Sequence, residues 1–299
     1  MSIPFFSVII PTFNRDKFIV SAILSVINQE FQDFEIIIID DGSNDSTCNF
    51  VKSIDDVRIN YFFQENQERS WARNNGIQKS RGRYICFLDS DDGYYSNHLD
   101  VLYHNIIIHE TPKALFYTGI ECKNQTQVKR HPLNFKKLHP VDYIWSNFLL
   151  MNSVCVRRDV FNDFLFPVKF NLWEDTHLWL RIALNHPVIE IQKYSCYTIE
   201  HEEASTKYNR KSKLFDIYLK YKEAVNDVFI TCPSLYTVIS RKSKKEYICN
   251  KAQYFLYESI TLKSYTNSVK LLFFKFYLDR NLISFLINLK LILKKVISF

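Results

Sequence analysis

The sequence predicts an α/β fold, a mostly parallel sheet with helices on both faces, followed by a helical region. Three observations predict it. Short apolar, β-branched runs alternate with helix-spaced segments over the first 120 residues. Several of those runs end in aspartates. Beyond residue 206 strand signals fade, and the pattern becomes helical and rich in Lys and Tyr.

Each element has its own warrant. Phe6 to Ile10 (FSVII) is a short apolar run closed by Pro11, as expected of a buried strand. From Lys17 to Gln29, apolar residues at 19, 20, 22, 23, 26 and 27 follow helical spacing. Phe34 to Ile39 is a second strand running into Asp40 and Asp41, after which Ser43 to Ser46 offers caps for a helix reaching Ile54. Val57 to Phe63 reads as a third strand, Trp71 to Lys79 as a helix, and Tyr84 to Leu88 as a fourth strand ending at Asp89. Strand, helix, strand repeated in this way indicates a mostly parallel sheet with helices on both faces. Residues 121–140, polar with two prolines, read as a surface loop. Apolar character resumes at Phe148 to Val156, and Trp173 to Leu184 starts an amphipathic helix.

Composition narrows the function classes. At 299 residues, with 47% hydrophobic and 23% charged residues, the chain is globular and long enough for a full core. Neither G-x-G-x-x-G nor G-x-x-x-x-G-K-[ST] occurs, so a dinucleotide fingerprint and a P-loop lack support. Seven cysteines with no C-x-x-C argue against zinc, a redox pair and a disulfide framework, and fit reduced thiols in a cytoplasmic protein. The N-terminus lacks the basic start of a signal peptide, and no 18-residue uncharged apolar stretch is present. The net charge of +6 hides a split: residues 1–206 hold 20 basic and 26 acidic side chains, residues 207–299 hold 18 and 6. The second region therefore expects an anionic partner.

Asp40 and Asp41 follow one strand, and Asp89, Asp91 and Asp92 follow another. Ligands in open α/β sheets bind beyond the carboxyl ends of strands, so the two clusters are expected at one crevice, although Asp also forms caps and turns. D-S-D-D on a tight turn supplies hard oxygen ligands with open positions, which suits Mg²⁺ or Mn²⁺ on a diphosphate. Glu174 and Asp175 open a helix, where the dipole alone favours carboxylates.

In these segments the chain resembles the family 2 glycosyltransferases with their GT-A (Rossmann-like) fold. The resemblance rests on SVIIPTFNR (7–15), EIIIIDDGSNDST (35–47), WARNNGI (71–77), RGRYICFLDSDD (81–92), NSVCVRRDVF (152–161) and WEDTHLWLRIA (173–183), in family order across roughly residues 5–205. It implies inverting transfer of a sugar from a UDP-sugar to an acceptor hydroxyl of a glycan or lipid-linked glycan. By the same resemblance, Pro11, Thr12 and Asn14 form the first loop around the nucleotide, and Asp41 meets the base. Arg73 lies near the nucleotide or diphosphate, or positions the acidic loop through an ion pair. Asp89 and Asp91 form the D-x-D, with Asp91 or Asp92 the direct metal ligand. Asp175 of the E-D pair is the implied general base, with Glu174 orienting hydroxyls. His201, in YTIEHEEAST, falls where relatives often place a histidine near the metal or diphosphate. His177 follows one turn into the E-D helix. A catalytically silent binding protein on the same fold and a nucleotidyltransferase are the rival readings; the second lacks its usual Gly-rich phosphate loop.

The C-terminal region departs from the family core. Residues 268–299 carry six basic residues and one acid, and polar positions 281, 284, 288, 295 and 298 leave a wide Leu/Ile/Phe face. A basic amphipathic helix of this kind fits an anionic membrane surface, with packing on the protein or a dimer interface as the alternatives. On the membrane reading, Lys270, Lys275, Arg280, Lys290, Lys294 and Lys295 face lipid phosphates, while Phe285, Leu286, Leu289 and Leu293 enter the apolar layer. No recognition motif points to nucleic acid. The expected organisation is a catalytic domain over 1–205 and a helical, basic domain over 206–299, peripheral at the inner face of the cell membrane.

Overall fold

The computed structural model describes residues 3–124, 126–131, 133, 139–201 and 210–297. The chain forms two compact units, Met1–His201 and Glu202–Phe299. The expected boundary at 205/206 lies outside the described residues.

The first unit is built on one sheet in the order β3 (Ile59–Phe63), β2 (Phe34–Asp40), β1 (Phe6–Thr12), β4 (Tyr84–Phe87), β8 (Val154–Arg157), β6 (Leu115–Lys123), β9 (Val188–Ile199) and β5 (Gly93–Tyr94), with β7 (Val128–Arg130) paired to β6. Strands β1, β2, β3 and β4 are mutually parallel, as their apolar runs predict. Alternate side chains serve opposite faces. Phe6, Val8, Ile10, Ile36, Ile38 and Cys86 join the core with Ile19, Ala22, Ile23 and Val26 of α1 (Ile19–Ile27) and Leu99, Leu102 and Ile106 of α4 (His98–Ile108). On the other face α3 (Glu68–Lys79) lies against β1. A Cβ on its Gly76 would meet Ile9 Cγ2 at 2.5 Å, so only glycine permits that approach. Phe87 meets Phe161, Phe166 and Trp179 at 5.4–6.1 Å between ring centroids.

β1 continues through Pro11, which the sequence reading took as its stop. The partner strand β4 pairs only as far as Ile9↔Phe87, so proline's missing N–H leaves no ladder bond unmade there.

The second half of the sheet is mixed. β8 runs antiparallel to β4 and to β6, whereas β9 runs parallel to β6. β5 and β7 add antiparallel to β9 and β6. The polar stretch after residue 120 is thus partly strand and not simply a loop. Its charged residues are satisfied sideways: Glu121 accepts from Tyr95 Oη and from Arg130 Nε. α2 (Thr47–Lys52), α5 (Pro140–Asn147) and α6 (Glu174–Asn185) are the remaining α-helices of this unit among the described residues.

The second unit consists of α7 (Arg210–Thr231), α8 (Arg241–Thr261), α9 (Tyr265–Asp279) and α10 (Leu282–Ile297), with no strand among the described residues. Its core includes Leu214, Tyr218, Val225, Phe255, Leu256, Leu271, Leu272 and Ile292. No helix among the described residues is long and apolar enough to cross a membrane.

Candidate active site

The carboxyl ends of β1, β2 and β4 open at one edge of the sheet, and the loops leaving them are cross-linked. Asp40 closes β2 and is fully buried. Its Oδ1 accepts from Ser43 N at 2.8 Å and its Oδ2 from Tyr61 Oη at 2.7 Å, which holds the turn that follows. Asp41 N donates to Thr12 O at 2.8 Å, tying the β2 exit to the end of β1. Asp41 Oδ1 accepts from Gln64 Nε2 at 2.7 Å and Gln67 N at 2.9 Å. Burial raises its pKa, and these hydrogen bonds offset only part of the rise. Gly42 turns the chain at φ +87°, where a Cβ would also meet Asn66 N at 2.9 Å.

Asn14 holds a left-handed φ of 51° and staples the two loops: its N donates to Ser43 Oγ and its Oδ1 accepts from Asn44 N, each at 2.9 Å. Asn is among the side chains that tolerate this region best. Thr12 is 3% exposed, and its Oγ1 has no protein partner. Buried hydroxyls are normally bonded, so this one is available to a ligand. Pro11, Thr12, Asn14 and Asp41 thus lie on the two joined strand exits.

The β4 exit forms a second cross-linked loop. Asp92 N closes a turn onto Asp89 O at 3.1 Å. Asn152 bridges it, accepting from Asp89 N at 2.9 Å and donating to Asp92 Oδ2 at 2.6 Å. Ile199 N donates to Asp92 Oδ1 at 2.9 Å. Both Asp92 oxygens are therefore bonded within the protein. Burial, then the charges of Asp89 and Asp91, push its pKa up to about 8. Asp91 is turned elsewhere: its Oδ2 lies 3.1 Å from His201 Nε2 and 3.5 Å from Arg15 Nε. The His201 ring rests on Phe18 at 4.3 Å between centroids. Of the three expected metal-binding side chains, Asp91 and His201 meet, while Asp92 braces the loop. Among the described residues no three His, Cys, Asp or Glu side chains converge as a closed metal cluster.

Arg73 joins the acidic loop to the E-D helix. It is 3% exposed on α3 and donates from Nη2 to Asp89 Oδ1 at 2.9 Å and from Nη1 to Glu174 Oε1 at 2.8 Å. Burial alone would lower its pKa; the Asp89 and Glu174 carboxylates more than reverse this, so the guanidinium stays charged. Glu174 is 4% exposed and opens α6 after Trp173, whose φ of 66° is left-handed. Strained backbone of this type persists where surrounding structure enforces it, often at functional sites. Asp175 Oδ1 accepts from Thr176 N at 2.6 Å. Burial first, and the neighbouring Glu174 second, push the Asp175 pKa up to about 6. His177 is buried beside Phe170, with ring centroids 5.9 Å apart, and therefore packs within the unit.

Three residues that hold the site have no role in the motif reading: Asn152, Gln64 and Arg15. Asn152 opens the segment NSVCVRRDVF, but only the turn of β8 toward β4 reveals what it bonds. Gln64 follows β3 and offered no sequence signal.

Comparison with known proteins agrees with this geometry. The profile of Glycosyl transferase family 2 matches residues 7–164. An uncharacterized glycosyltransferase of Rickettsia bellii is 34% identical over 183 residues, which cover 59% of this chain and 26% of the relative. The chain thus spans only about a quarter of that curated relative. The GalNAc(5)-diNAcBac-PP-undecaprenol beta-1,3-glucosyltransferase of Campylobacter jejuni is 43% identical over 103 residues, 33% of each chain. The putative colanic acid biosynthesis glycosyl transferase WcaA of Escherichia coli is 25% identical over 268 residues, 81% of this chain and 95% of its own. In structure, S. aureus TarS 1–349 in complex with UDP-GlcNAc superposes with a TM-score of 0.63 at 18% identity, covering 89% of this chain and 88% of that one. That likeness shows the GT-A fold, and with the profile spanning more than half of its length, the chain belongs to glycosyl transferase family 2.

Proposed function

We propose that this glycosyltransferase moves a sugar from a UDP-sugar to a hydroxyl of a glycan or lipid-linked glycan, inverting the anomeric centre, with Asp175 as general base. The observation that carries the reading is the Arg73 junction. It brings the D-S-D-D loop and the E-D helix start, 85 residues apart in sequence, to one buried cation. Donor diphosphate and acceptor base are needed side by side in such a transfer.

The roles follow from chemistry. Asp41, Thr12, Pro11 and Asn14 line the nucleotide end, where Asp41 Oδ and the unpartnered Thr12 Oγ1 receive base and ribose donors. Asp91 and His201 offer one carboxylate oxygen and one imidazole nitrogen, a donor set that suits Mn²⁺ or Mg²⁺ with its other positions left to diphosphate and water. Burial first, and then the charges of Asp89 and Asp91, raise Asp92, and a cation there would offset that second, carboxylate contribution. When bound, the cation stabilises charge on the departing nucleoside diphosphate. Asp92 and Asn152 keep the loop shape. Asp89, held by Arg73, faces the donor ribose or sugar.

In the transfer step the acceptor hydroxyl loses its proton to Asp175 as its oxygen bonds to the anomeric carbon and the bond from that carbon to the UDP oxygen breaks. A carboxylate with a pKa of about 6 is mostly ionised at neutral pH yet more basic than an ordinary aspartate. Glu174, fixed by Arg73, orients a hydroxyl beside it. The donor reading is supported by the UDP-GlcNAc complex of the TarS neighbour, and the lipid-linked acceptor by the undecaprenol substrate in the name of the C. jejuni relative. Such an acceptor places the enzyme peripherally at the inner face of the cell membrane.

The test is Asp175→Asn. The change keeps shape and removes the basic site, so turnover should fall about 10²–10⁴-fold while affinity for the UDP-sugar, read by calorimetry, changes little. Collapse of donor affinity with turnover would assign Asp175 to donor binding instead.

A further inference from the structure

On the last two helices polar and apolar side chains share both faces. Leu271, Leu272 and Ile292 are buried, but on α10 Asn288 and Ser284 also turn inward. Asn288 is 3% exposed and exchanges hydrogen bonds with Gln253 of α8, Nε2 to Oδ1 at 3.1 Å and Nδ2 to Oε1 at 3.3 Å. Ser284 Oγ accepts from Lys275 Nζ of α9 at 2.8 Å, and that ammonium also donates to Asp279 Oδ2 at 2.5 Å. Lys275 is 8% exposed, so it does not reach outward as the sequence reading expects. Phe285 packs on Phe273 and Phe276 at 5.4 and 5.1 Å between centroids.

Several large apolar side chains turn outward. Ile283 is 73% exposed, Ile287 59%, Leu282 58% and Leu286 53%. On α9, Val269, Phe273 and Tyr277 form an exposed stripe at four-residue spacing. A helix in water turns such side chains inward, and contiguous apolar surface of this kind marks an interaction site.

We infer that this outward face of α9 and α10 lies on an anionic lipid bilayer. Charge complementarity selects the occupant. Exposed Lys270, Arg280, Lys290, Lys294 and Lys295 border or punctuate the apolar face, and residues 207–299 carry 18 basic against 6 acidic side chains. A second copy of this basic chain would set like charges against each other around the patch, whereas lipid phosphates neutralise them and the bilayer takes up the exposed apolar side chains. The helices lie in the interface and do not span it, since neither is long and apolar enough to cross. The inference deepens the membrane location proposed above by naming the surface. It needs no transferase chemistry, so binding and turnover are scored separately.

The experiment is flotation of the full-length protein with vesicles of phosphatidylcholine alone or with 30% phosphatidylglycerol, beside sedimentation without lipid. Binding should require the anionic lipid, weaken in high salt without vanishing, and fall at least ~100-fold in Ile283→Ser/Ile287→Ser, because two large side chains leave the bilayer. Both positions are exposed, so the variant should keep its circular dichroism and its turnover of a soluble acceptor. Lys290→Ala/Lys294→Ala should reduce the salt-sensitive part, as two of the five exposed cations leave. No flotation with anionic vesicles, binding unchanged in the Ser variant, or a dimer abolished by that variant without lipid would overturn the inference; the last would assign the face to a second copy.

Discussion

Replacing Arg73 with Met removes the cation that joins α3, the acidic loop and the E-D helix while keeping most of the side-chain volume. Its two carboxylate partners are unequal. Asp89 is 37% exposed as a side chain and regains water when the guanidinium goes. Glu174 is 5% exposed and does not. Arg69 Nε stands 4.0 Å from Glu174 Oε1, but that side chain is 39% exposed and its screened charge compensates weakly. Stripping one partner from a buried pair costs about 3–5 kcal/mol. With the Asp89 half discounted and Arg69 helping slightly, about 3 kcal/mol is the expected loss, read as a lowered urea midpoint of unfolding. The same cation lowers the Asp175 pKa by its charge. The acid limb of kcat/KM should therefore move to higher pH in Arg73→Met. Adding Glu174→Gln should restore part of the stability, because the stranded carboxylate is gone. A loss below ~1 kcal/mol with an unmoved acid limb would refute the junction as the element organising the site.

Two further outcomes follow. In the wild type, kcat/KM should fall as pH drops through about 6, since below that pH Asp175 holds the proton it must accept; the residual activity of Asp175→Asn should lack this limb, and a persisting limb would assign it to another group. Asp91→Ala should abolish transfer with folding intact, because Asp91 is only partly buried and its partners are His201 and Arg15; full activity in that variant, or in excess EDTA, would dismiss the metal.

Much of the first half of the fold is legible in the sequence because β-branched runs such as FEIIIID are buried on both faces and end in aspartates. The second half is less legible. β6 changes from apolar LFYT to polar IECK at a bulge, and its charged end is stabilised by Arg130 and Tyr95 from elsewhere in the chain. No periodicity announces that. Asp41, Asp91 and Asp175 stand out by motif, but the division of labour within D-S-D-D does not. Asp91 and Asp92 are chemically identical in sequence, and only Asn152 and Ile199 N, 60 and 107 residues from Asp92, set its bonded carboxylate apart from that of Asp91, which meets His201 and Arg15. On α10 the period was readable and the direction was not, since polar spacing alone does not say which side faces Gln253.

Direct, single-displacement sugar transfer at the Arg73 junction leaves a stereochemical record in the product. It is read by proton NMR of the glycoside formed from an α-linked UDP-sugar, recorded before it anomerises or degrades. The expected product is β-linked, formed by the wild type and nearly lost in Asp175→Asn. An α-linked product would require two displacements or a front-face route, and would contradict the assignment of Asp175 as the base for a single in-line attack.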